Sequence, residues 1–75
     1  MKKITFIGAG SVQFTTGVVN DLATYPAFDD SQICLMDIDE HRLERITECV
    51  ERIKREKGTH FEIVPTLSRE EAIKD

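Results

Sequence analysis

An α/β fold built on a parallel sheet is predicted for this 75-residue chain by three observations. A short apolar run, Ile4 to Ile7, leads straight into two glycines spaced by one residue, Gly8 and Gly10. A second apolar run, Gln32 to Met36, ends on an acid, Asp37. Between and after these runs the apolar residues recur at helical spacing, so strand and helix alternate along the chain.

The first run is β-branched or aromatic at Ile4, Phe6 and Ile7, as a buried strand requires. The glycines that follow open a nucleotide site: Gly8 permits a tight turn, and Gly10 lets the backbone approach a pyrophosphate whose charge rests on the N–H groups of the next helix. Ser11 adds a hydroxyl donor or caps that helix. Gln13 stands where the G-x-G-x-x-G fingerprint has its third glycine. That glycine serves helix-on-strand packing, so its replacement alters the helix approach and leaves the phosphate cradle. The alternative is a strand-to-helix turn with no ligand.

Val12, Thr15, Val19, Leu22 and Ala23 form one stripe, with Asn20 and Asp21 toward solvent, and Tyr25-Pro26 ends the helix. Gly17 in mid-helix costs about 1 kcal/mol against alanine, which predicts a neighbour packed close to it. Phe14 falls off the stripe. After a polar loop from Phe28 to Ser31, the second strand is continuously apolar, as in sheets buried on both faces. Asp37 at its carboxyl end is placed to accept hydrogen bonds from an adenosine ribose, and its charge would repel a 2′-phosphate, favouring NAD over NADP. The alternative for Asp37 is a strand-end turn or a helix cap. The candidate cofactor-binding set is therefore Gly8, Ala9, Gly10, Ser11 and Val12 at the turn, with Asp37 and Ile38 at the ribose.

From Glu40 to Lys57, Leu43, Ile46, Val50 and Ile53 mark an amphipathic helix with Cys49 at the edge of its buried face. Glu48 with Arg52 and Glu51 with Arg55 are spaced as ion pairs, and the charge run reads as a solvated face. Gly58 is the helix stop. His60 to Pro65 reads as a third strand with Phe61 and Ile63 on one side, and Ser68-Arg-Glu-Glu71 as a capping box opening a further helix.

Strand, helix, strand, helix, strand and the start of a helix make the first mononucleotide-binding half of a Rossmann fold: three parallel strands in the order 3-2-1, part of a larger doubly wound sheet. Residues 1–75 are expected to form the amino-terminal part of an NAD-binding domain. The first strand would be left without its partner, so the chain is expected to be a homo-oligomer or part of something larger. A net charge of −4 and a pI near 5.1 exclude a phosphate-backbone binder, and no apolar run is long enough for a membrane span. Cys34 and Cys49, fifteen apart, match no redox or zinc spacing and read as buried thiols of a reduced, cytoplasmic protein. His41 and His60 are isolated, and no catalytic or metal-ligating residue is assigned.

The runs Lys3 to Phe14, Val19-Asn-Asp-Leu22 and Leu35-Met-Asp-Ile-Asp39 followed by Arg42-Leu43 resemble the amino terminus of the family-four glycoside hydrolases, closer to their α-galactosidase and α-glucosidase members than to the 6-phospho-glycosidases. That family does not keep the third glycine. The resemblance implies an enzyme that uses NAD and a divalent metal, commonly manganese, on a small-molecule sugar substrate. In the family the sugar is oxidised at C3 by NAD, the acidified C2 proton is removed, the C1 substituent is eliminated, water adds and the hydride returns. The metal ligands and catalytic base would lie beyond this stretch. Two alternatives remain open: the same half-fold from a lactate or malate dehydrogenase relative, and a nucleotide-binding module without catalysis.

Overall fold

A computed structural model of the chain describes residues 3–8 and 11–73. Its elements run β1 (Lys3–Ile7), α1 (Val12–Ala23), a single 3₁₀ turn (Pro26–Phe28), β2 (Gln32–Met36), α2 (Glu40–Lys57), β3 (Glu62–Thr66) and α3 (Arg69–Ile73). The strands form one parallel sheet in which β2 lies between β1 and β3, the expected 3-2-1 order. This is an α/β half-fold of Rossmann type.

Alternation along β2 separates two packed layers. Ile33 and Leu35 point to one face, where they join Phe6, Val19 of α1, Leu43, Ile46, Val50 and Ile53 of α2, and Phe61 in a single cluster. Cys34 and Met36 point to the other face and pack with Ala72 of α3. The sheet therefore carries α1 and α2 on one side and α3 on the other. Removing the four apolar side chains of α2 from water contributes about 1.5–3 kcal/mol each. A hydrogen bond from Thr5 Oγ1 to the Ala72 carbonyl, 3.2 Å, ties α3 to β1.

Several local expectations shift. β3 starts at Glu62, two residues later than the pattern suggests, and continues through Pro65 to Thr66. His60 is held back by Asp29, which accepts from its backbone N–H at 2.9 Å and lies 2.8 Å from its ring Nδ1. Pro65 is tolerated because β3 is an edge strand. Gly17 has no close neighbour: it is exposed, and a Cβ there would meet nothing within 4 Å among the described residues. Neither Glu48–Arg52 nor Glu51–Arg55 forms an ion pair among the described residues. An exposed pair of this kind gains too little to fix two long side chains in one geometry.

The caps follow the sequence more closely. Gly58 adopts the left-handed conformation, φ +67°, and its N–H reaches the carbonyls of the last turn of α2. Ser68 Oγ accepts from the Glu71 N–H at 3.2 Å. The return arm of the capping box is replaced, since the Ser68 N–H donates to Thr66 Oγ1 at 3.0 Å.

Candidate functional site

The turn after β1 and the turn after β2 face the same cleft, because parallel strands deliver their carboxyl ends to one edge of the sheet. The cleft measures about 660 Å³ and is lined by Ile7, Gly8, Ser11, Met36, Asp37, Ile38, Arg42, Arg45 and Arg69. Of the candidate cofactor residues it brings together Gly8, Ser11, Asp37 and Ile38. Val12 does not line it, and its side chain packs against the core beneath α1. Ala9 and Gly10 lie outside the described residues.

Gly8 has φ +73°, a conformation that disfavours any side chain, and its carbonyl accepts from the Ser11 N–H at 3.4 Å. Ser11 is the N-cap residue of α1, but its hydroxyl makes no capping hydrogen bond. Of the two roles open to Ser11, the capping one is therefore not realised. The first N–H groups of α1 receive nothing from the cap side chain, and no acidic residue occupies that first turn. Such a helix start suits an anion.

Asp37 is 5 % exposed at the end of β2. Its backbone N–H donates to the Thr66 carbonyl of β3 at 3.3 Å, and its Oδ1 accepts from the Asp39 N–H at 2.8 Å. The strand-end turn foreseen as an alternative for Asp37 is thus present. It also fixes the carboxylate at the mouth of the cleft. Asp39 caps α2 by accepting from the Arg42 N–H at 3.1 Å. Ile38 between them is 86 % exposed and offers an apolar surface beside the acid.

Sequence reasoning missed the three arginines. Arg42 and Arg45 belong to a helix whose charges were read wholly as a solvated face, yet both line the cleft, as does Arg69 at the start of α3. Their position within a few residues of a strand end was the available signal. None of the three is engaged in an ion pair among the described residues.

The remaining titratable candidates lie elsewhere. Cys34 is buried under α3, and burial pushes its thiol above the ordinary range, with Lys3 opposing and Glu71 adding to the shift. Cys49 is half-buried, and both thiols are free. No group of three or more His, Cys, Asp or Glu side chains among the described residues is arranged to hold a metal ion. No described helix is long and apolar enough to cross a membrane.

Residues 3–75 match the family model described as family 4 glycosyl hydrolase. The chain belongs to glycosyl hydrolase family 4. Among relatives in this family, an α-galactosidase of Rhizobium meliloti (strain 1021) is 32 % identical over 71 residues, covering 95 % of this chain and 14 % of its own length. An α-galactosidase of Bacillus subtilis (strain 168) is 41 % identical over 54 residues, covering 72 % of this chain and 12 % of its own. The chain thus spans only a small part of the family 4 relatives it matches.

Proposed function

We propose that this chain is the NAD-binding segment of a family 4 glycosidase acting on an α-galactoside or α-glucoside. The observation that carries the reading is the convergence of Gly8, Ser11, Asp37 and Ile38 on one cleft at the carboxyl ends of β1 and β2. Family membership favours a glycosidase over plain dehydrogenase chemistry.

Three features of the cleft support a dinucleotide. The Gly8 turn and the open start of α1 suit the pyrophosphate, Asp37 suits the ribose hydroxyls, and Ile38 suits the apolar face of the adenine. When bound, NAD would supply a hydride acceptor for the sugar. The role of this chain's own residues is to hold and orient it. Manganese is a different matter: the described residues offer no ligand group for it, so no step is assigned to this chain through a metal.

Asp37 provides the test. Calorimetric titration of the full chain with NAD should show the Asp37→Ala variant weakened by about tenfold or more, the equivalent of losing a hydrogen bond to a charged group. Asp37→Asn retains an acceptor for the Asp39 N–H, so a loss shared by both variants reports on ribose binding rather than on the turn. Equal NAD affinity in all three proteins would sink the assignment.

A further inference from the structure

The cleft carries more positive charge than a non-phosphorylated ribose calls for. Three arginines line it beside one carboxylate residue, Asp37, in a chain whose net charge is −4. Arg42 and Arg45 are three apart on α2, which starts three residues after Asp37, so they lie on one side of that helix beside the acid. Arg69 enters from the turn after β3, whose Thr66 carbonyl is bonded to the Asp37 N–H. All three therefore line the part of the cleft reached from the ends of β2 and β3, where Asp37 also lies. The pyrophosphate position belongs to the end of β1 and the start of α1.

We propose that Arg42, Arg45 and Arg69 form a phosphate seat on the ribose side of the cleft, so that the site takes the 2′-phosphorylated dinucleotide NADP as well as NAD. The inference rests on the dinucleotide reading above and revises the selectivity expected from Asp37 alone. An isolated carboxylate at this place repels a 2′-phosphate, whereas a neighbouring arginine accommodates one. Guanidinium is suited to the task, since its planar fork donates two parallel hydrogen bonds to a phosphate. Asp37 has one oxygen committed to the Asp39 N–H, and three cations outnumber its charge.

The test is titration of the full chain with NAD and with NADP, followed by Arg42→Gln, Arg45→Gln and Arg69→Gln singly and together. All three positions are exposed, so the variants are expected to fold, with circular dichroism as the control. NADP should bind within about tenfold of NAD, and the triple variant should lose about tenfold or more for NADP, the scale of one charge-assisted hydrogen bond, with a much smaller loss for NAD. Should the triple variant fold poorly, Arg69→Gln alone, outside α2, should show the same preferential loss. Three results would overturn the proposal. Rejection of NADP by a chain that binds NAD overturns it and leaves the dinucleotide reading intact. Equal losses for the two cofactors would assign the arginines to the pyrophosphate instead. Failure to bind either dinucleotide removes both readings together.

Discussion

Gly17 illustrates how a single residue divides local from tertiary reasoning. Its place in mid-helix predicts a close neighbour, yet its position is open and exposed. The helix then bears the conformational cost of glycine with nothing packed against it, so Gly17→Ala should stabilise the 75-residue chain by about 0.5–1 kcal/mol. The midpoint of urea unfolding, at unchanged slope, is the measurement, and a fall in stability would reveal a contact at this helix face. The position of Asp37 and Ile38 at the end of β2, beside the cleft, was legible in the sequence because an acid closes a continuously apolar run there. Arg42 and Arg45 were not legible. A charged residue on the polar side of an amphipathic helix gives the same pattern whether it faces bulk water or a cleft, and only the placement of β2 against α2 separates the two.

Among the elements, α2 was read to the residue because both its ends are chemically marked, by Asp39 accepting from the Arg42 N–H and by Gly58 in the left-handed region. β3 was read less well because its start is set by a contact distant in sequence. Asp29, after the 3₁₀ turn, grips His60 through both carboxylate oxygens and so fixes where the chain may enter the sheet. The hydrogen bond from the His60 side chain, and then that from its backbone, hold the Asp29 carboxyl below its ordinary value of 3.8. A carboxyl depressed in the folded state contributes stability that is fully present above its unfolded value and is lost as pH falls through the folded one. The stability difference between wild type and Asp29→Asn should therefore shrink as pH falls below the ordinary carboxyl value of 3.8. Unfolding curves of the two proteins across that window check the sign, and a difference that grew on acidification would contradict it.

At the scale of the whole molecule, the open side of β1 decides what the 75-residue chain does when made alone. Among the described residues β1 pairs only with β2, which leaves its other edge without a strand partner. Such an edge pairs with whatever strand is available. The apolar stripe of α1 is not free to take part, because Val12, Val19 and Ala23 pack on the core. Apolar surface is instead exposed at Ile7, 48 %, and at Ile73, 66 %, in the helix that Thr5 binds to β1. The chain should therefore self-associate through β1, with these two side chains at the contact. Light scattering at rising concentration should show a dimer or larger species, and Ile7→Lys should shift it toward monomer, because a charge at an edge opposes strand pairing. A strictly monomeric mass at high concentration, together with a cooperative unfolding transition, would show that the half-fold keeps its edge from pairing.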